Sequence, residues 1–168
     1  MRWCNHQITT GMLVYAGTGN LAATTLAWVG STLPDLLEFP LGPLIRHRTL
    51  THWPYPYLAL FVGLWVWGGW SDNLLPQYGS YLLLGCLFHL LQDSLSPGGI
   101  PCGVTPFRGK IGLGWYRTFH VSEYVTALLL VLLGGSVAWG RGFFDAGYLV
   151  LEMQRLSLVL LCFGWSFR

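Results

Sequence analysis

The chain has 168 residues, the length of one domain, and all of it is expected to form a single membrane-embedded unit over 1–168. Hydrophobic residues make up 53% and charged residues only 10%, with mean hydropathy +0.50. A water-soluble domain carries about 25% charged residues, so the ordinary soluble class is excluded; the net charge of +2 says little alone, and no nucleic-acid partner is expected.

Nine Trp, eight Tyr and nine Phe suit the aromatic belts that form where a bilayer meets water. The composition therefore predicts a polytopic membrane protein. The opening "MRWCNHQITTG" lacks the charged, apolar and small-residue order of a secretory signal, and none is expected. Residues 7–34 are apolar but broken at "GTGN", a strong turn signal. As one straight helix, the path from His6 to Asp35 would run roughly 43 Å at 1.5 Å per residue. Two short helices hinged at Gly17–Asn20 would instead dip into the membrane and return. This re-entrant hairpin is the preferred reading, because it carries His6 back towards the other polar residues.

Four further apolar stretches, 54–71, 77–95, 121–139 and 146–165, approach the roughly 20 residues that span a hydrocarbon core. Between them lie "SDNLLPQ", the long segment 96–120 and "GRGFFD", each rich in turn residues or charge. The expected fold is all-α: about four full transmembrane helices plus the N-terminal hairpin. On this topology Arg2, Arg46, Arg48, Arg108, Lys110, Arg117 and Arg168 share one side. Arg141 lies on the other side and Arg155 inside the last span. The positive-inside rule places the basic side in the cytoplasm, in a bacterial inner membrane. Cys4, Cys86, Cys102 and Cys162 are scattered without a C-x-x-C pair and form no disulfide framework.

The ionisable residues converge on that basic side. Asp35 and Glu38 close the hairpin in "STLPDLLEFP", and His47 and His52 stand in "RHRTLTH", where Thr49 or Thr51 can cap the next helix. His89 and Asp93 end the third stretch, and His120 and Glu123 open the next. The far side offers little beyond Asp72 and Asp145. His89 and Asp93, at i and i+4, share a helix face within reach of one ion. Ionisable groups at a membrane boundary are costly and tend to be functional. Imidazoles with carboxylates are the ligand set of Zn²⁺ or a similar divalent ion, and the number of groups leaves room for one or two ions. There is no H-E-x-x-H, no G-x-S-x-G and no P-loop. The S-R and P-S-G-H blocks that accompany H-x-x-x-D in PAP2-type lipid phosphatases are absent as well.

An N-terminal His, "GSTLPD", "HRTLTH", "GCLFHLLQDSLSPGGIP" and a later Glu, in that order, resemble the YdjM-like, LexA-regulated membrane-bound metal-dependent hydrolases. The resemblance covers residues 6 to about 123. It implies that His6, Asp35, His47, His52, His89, Asp93 and Glu123 occupy the family's motif positions, and a distant similarity to zinc-dependent phospholipase C. The first acidic block departs from the family's P-D-x-D-H: Leu37 replaces the second Asp, and Glu38 stands beside it as a substitute.

The expected function is hydrolysis of an ester, foremost a phosphoester, in a lipid or lipid-linked substrate at the cytoplasmic face. His6, His47, His52 and His89 would bind metal with Asp35, Asp93 and Glu123. Asp35, Asp93 and Glu123 are the expected catalytic carboxylates, with Glu123 the best candidate for general base. The segment "PFRGKIGLGWYRTF" suits headgroup contact or a plain interfacial anchor. A metal transporter or sensor would use the same ligands without hydrolysis. A haem bundle or a non-catalytic scaffold explains the polar clustering less well.

Overall fold

The computed structural model describes residues 1–41, 48–71 and 74–165, the side chains of residue 41 and of 162–165 excepted. It is mostly helical. Two short helices open the chain, α1 (Trp3–Thr18) and α2 (Leu21–Gly30). The turn falls within the expected "GTGN": Gly19 adopts the left-handed conformation (φ 65°) that closes a helix, and the Asn20 side chain accepts from Ala23 N–H at 2.9 Å to start the next. The hairpin is therefore present, and its two open ends reach the same region. A six-residue helix, α3 (Leu33–Glu38), follows, with Pro34 in its first turn.

The four long apolar stretches form α4 (Pro54–Trp70), α5 (Leu74–Ser94), α6 (Val121–Gly140) and α7 (Ala146–Trp165), each within a few residues of its expected bounds. Trp53, not Thr49 or Thr51, stands at the N-cap of α4, whose fixed start comes from Pro54 and Pro56. Among the described residues, α5 and α6 are long and apolar enough to cross a membrane. At 17 residues α4 spans about 26 Å, short of a full hydrocarbon core. The polar side chains Glu152, Gln154 and Arg155 lower the hydropathy of α7. Leu58, Leu60, Leu128, Leu129, Leu158 and Leu161 are exposed on the outside of these helices, as expected for side chains that face lipid.

Close packing of α2 on α5 positions the site. Ala23 and Ala27 are fully buried, and a Cβ on Gly85 would collide with the Ala27 carbonyl. Without a side chain at Gly85 the two backbones meet. Cys86 Sγ then donates to Gly30 O at 3.2 Å, and His89 Nδ1 lies 2.6 Å from Ser31 O. The other end of the hairpin is also secured. Arg141 donates to the carbonyls of Ala16 and Gly17, and Tyr148 donates to Gly19 O. Buried Glu152 accepts from Leu21 N–H at the start of α2. Glu152 is a correction to the expectation of a nearly featureless far side. Three residues before Arg155, its carboxylate satisfies a helix N-terminus that has no intrahelical acceptor.

The long connection after α5 folds back on that helix. A minimal antiparallel pair, β1 (Ile100–Pro101) with β2 (Lys110–Ile111), shapes it. Leu113 and Trp115 donate their N–H groups to the carbonyls of Ser94 and Leu95, and Tyr116 OH donates to Gln92 O at 2.9 Å. Carbonyls at the end of α5 are thus satisfied, and the segment 113–116 is fixed beside that end of the helix.

Candidate metal centre

Four elements bring five ionisable residues together. His6 comes from α1, Asp35 from α3, His52 from a single 3₁₀ turn (Leu50–His52), and His89 and Asp93 from the end of α5. His6, His52 and His89 are fully buried, Asp93 nearly so, and Asp35 is partly open to the surface.

The imidazole orientations follow from their outer partners. A carbonyl oxygen only accepts, so the 2.6 Å contact with Ser31 O places a proton on His89 Nδ1. His6 Nδ1 lies 2.8 Å from Gln92 Oε1, and Gln92 is itself oriented by donation from its amide to Thr10 Oγ1 at 3.0 Å. His52 Nδ1 faces Glu38 Oε2 at 3.4 Å and Thr51 Oγ1 at 3.1 Å. Each ring therefore directs Nε2 towards the centre. Metal-ligating histidines show this arrangement, with the outer nitrogen held by a carbonyl or carboxylate.

The inward atoms converge closely. His52 Nε2 lies 3.2 Å from Asp35 Oδ1, 3.4 Å from His89 Nε2 and 3.6 Å from Asp93 Oδ2. His89 Nε2 lies 3.6 Å from both Asp35 Oδ1 and Asp93 Oδ2. Ligands about 2.1 Å from a tetrahedral centre stand about 3.4 Å from one another, so the separations among Asp35, His52 and His89 fit one Zn-sized ion, with Asp93 Oδ2 alongside. Lone pairs and carboxylate oxygens at such range require a cation among them, a proton or a metal. A second group shares His89 with the first: His6, His89 and Asp93 also bring ligand atoms together. The His6 ring stacks on His89 at 4.0 Å, and its buried Nε2 makes no hydrogen bond while facing Asp93 Oδ1 at 3.4 Å.

Asp93 belongs to the second group, with Oδ2 3.6 Å from His52 and His89 Nε2, and is balanced from outside by Arg48 Nη2 at 3.1 Å and the Met1 amine at 3.2 Å, both on Oδ1. Asp35 Oδ2 accepts from Trp3 Nε1 at 2.7 Å. Burial works against the Asp35 charge, but the bond with His52 and the neighbouring His89 and His52 rings hold its carboxyl down at about 2. Asp35 is thus an anion at any physiological pH. A cavity of about 490 Å³ opens over Asp35 and Glu38, walled by Arg48 and the aromatic rings of Trp3, Phe39 and Phe119.

The structure separates the other expected residues. Glu123 is buried, yet its oxygens accept from Arg2 N–H (2.6 Å), Asn5 Nδ2 (2.7 Å) and Phe119 N–H (2.8 Å), and it joins neither ligand group. It fastens the start of α1, and with it His6. His120 caps α6, accepting from Ser122 N–H. Glu38 does not replace the carboxylate missing at exposed Leu37; it backs His52. His47 lies outside the described residues, so its place at the motif position is not described. Sequence reasoning passed over Gln92, Thr9 and Thr10. The signal was the helical spacing: Gln92 follows His89 by three residues, and Thr9 and Thr10 follow His6 by three and four.

An α-helical membrane-type bundle with buried His/Asp groups able to hold a metal ion is the class that fold and site define. The chain belongs to the YdjM inner membrane protein family, whose model matches residues 1–167. Neither a curated protein nor a solved structure matches it.

Proposed function

We propose that the protein is a metal-dependent hydrolase that cleaves a phosphoester of a lipid or lipid-linked substrate at the cytoplasmic membrane face. Four helices, α4 to α7, cross the bilayer in this reading, and the hairpin of α1 and α2 enters it and returns. The observation that carries the proposal is the set of five separations of 3.2–3.6 Å among His52, His89, Asp35 and Asp93. That set sits below an open cavity rather than inside a closed shell.

His52, His89, Asp35 and Asp93 would hold the ion, with His6 as a further ligand or part of a second site. A divalent ion, Zn²⁺ by its ligands, supplies acidification of a bound water and polarisation of a phosphoryl oxygen. The residues do the rest. Asp35 and Glu38 line the cavity floor, and because Asp35 is committed to the ligand set, Glu38 takes the proton from the attacking water. The water oxygen bonds to phosphorus, the phosphorus–oxygen ester bond breaks, and the departing alkoxide leaves as the alcohol after gaining the proton that Glu38 took from the water. Trp3, Phe39 and Phe119 give the cavity the apolar walls that a lipid stem needs.

Membrane transport of a metal would call for ligands along the path. On α1 the buried polar run Asn5, His6, Thr9 and Thr10 gives way to Val14, Tyr15 and Ala16, which favours a site at one face. The test is release of headgroup or phosphate from phospholipids in mixed micelles by the purified protein. Turnover lost in Asp35→Asn and His52→Ala, each measured beside its metal content, supports the proposal. Metal bound in full with no turnover on any phospholipid class moves the protein to a sensor or transporter.

A further inference from the structure

Three cations meet in a second cavity, beside the ligand groups but outside them. Arg48, Lys110 and Arg117 line a space of about 350 Å³ together with Ser96 and Gly98, and among the described residues no carboxylate lines it. Arg48 is built in. Its backbone is left-handed (φ 56°), a conformation that costs a non-glycine residue free energy. Its guanidinium donates from Nη2 to Asp93 Oδ1 at 3.1 Å and from Nη1 to Ser96 Oγ at 2.8 Å. A Cβ on Gly98 would stand 2.8 Å from that Nη1, so a side chain there would crowd the guanidinium out of the cavity floor.

Lys110 and Arg117 are held by the segment that folds back on α5: Lys110 on β2, and Arg117 next to the anchored Tyr116. Among the described residues neither has an ion-pair partner, and both are exposed. Three like charges around one small space repel each other, and Asp93 answers only one of them from beneath. A multiply charged oxyanion resolves the imbalance, and an arginine fork suits phosphate geometry.

We propose that this cavity is a phosphate-binding subsite for the phosphate of the substrate or product, with Arg48 linking it to the metal ligands through Asp93. Its assignment to a substrate rests on the hydrolase reading above, but the binding itself requires no turnover. The probe is inorganic phosphate, measured by equilibrium dialysis against the full chain with its metal in zwitterionic detergent, with phosphatidic acid in mixed micelles as the second arm. The comparison is Lys110→Gln/Arg117→Gln against Arg108→Gln, an exposed cation on the same segment that does not line the cavity.

The double variant weakens phosphate binding by about tenfold or more, as expected for lost charge-assisted hydrogen bonds, while Arg108→Gln and the metal content stay as in the parent. Binding of inorganic phosphate identifies a free phosphate group as sufficient. Binding of phosphatidic acid alone, lost in the same double variant, identifies a lipid-borne phosphate. Three results overturn the subsite: no binding of either probe, equal binding by the double variant, or an equal loss in Arg108→Gln. Phosphate bound as described without any hydrolysis would sink the hydrolase reading and leave the subsite standing.

Discussion

His89 shows how each ligand is prepared by what stands behind it. Its Nδ1 is committed to Ser31 O, so Nε2 has one direction left, towards His52, Asp35 and Asp93. Replacing His89 by Ala removes a ligand and leaves a buried carbonyl unpaired, and bound metal should fall to background in purified protein. Glu38→Gln acts differently, because the amide still fits behind His52. At saturating metal it should keep its ion and lose about a hundredfold or more in turnover, the scale of a missing general base. If its activity is unchanged at full metal, the base lies elsewhere. Glu123→Gln tests the revised role of that carboxylate. Its bonds to Arg2, Phe119 and Asn5 fix the start of α1, so the variant should bind metal at full stoichiometry with affinity weaker by about 10–100-fold, as for other outer-shell changes. Loss of stoichiometry would restore it to the ligand set. His6, Asp35, His52, His89 and Asp93 were legible in the sequence because an ionisable group beside an apolar helix has few cheap explanations. Glu123 has the same signature, and only its three N–H donors reveal the difference. Gln92 carries no charge to explain, and its spacing of three residues from His89 in "HLLQDS" was the signal it left.

At the scale of elements, the hairpin decides which residues meet. Its turn was readable at "GTGN", where glycines and an asparagine supply the helix stop and the next start. The contact of α2 with α5 was not readable, because Gly85 and Ala27 look like ordinary small residues in apolar runs. Gly85→Val should wedge these helices apart, lower stability by about 1–3 kcal/mol or more and displace Ser31 O from His89. Thermal unfolding in detergent, with metal content in parallel, reads both effects; an unchanged melting temperature contradicts the packing. At the hairpin tip Glu152→Ala leaves Leu21 N–H without its carboxylate acceptor, a loss of about 1–3 kcal/mol with the distant metal content intact. The 3₁₀ turn that presents His52 was not foreseen either, since five-residue spacing of "HRTLTH" fits no single helix face.

For the whole molecule, charge asymmetry and the site lie at one end. Arg48, Lys110 and Arg117 gather around the ligand groups, while Arg141 lies at the hairpin tip. In the proposed reading, the positive-inside rule puts the site on the cytoplasmic face. Exposed Cys4 at the start of α1 should react with a membrane-impermeant maleimide only from that side; labelling from the periplasm would invert the topology. The mostly helical architecture and the four long helices followed from composition and apolar length alone. Which helices cross the bilayer depends on polar interruptions in α7 and on the shortness of α4, where apolar composition cannot separate a span from a partly inserted helix. The central claim, that buried imidazoles and carboxylates exist here to hold a metal, has one direct test. Elemental analysis of the detergent-purified chain beside His89→Ala and Asp93→Asn should find one or two divalent ions per chain in the parent and almost none in either variant. The same negligible content in all three preparations would contradict it.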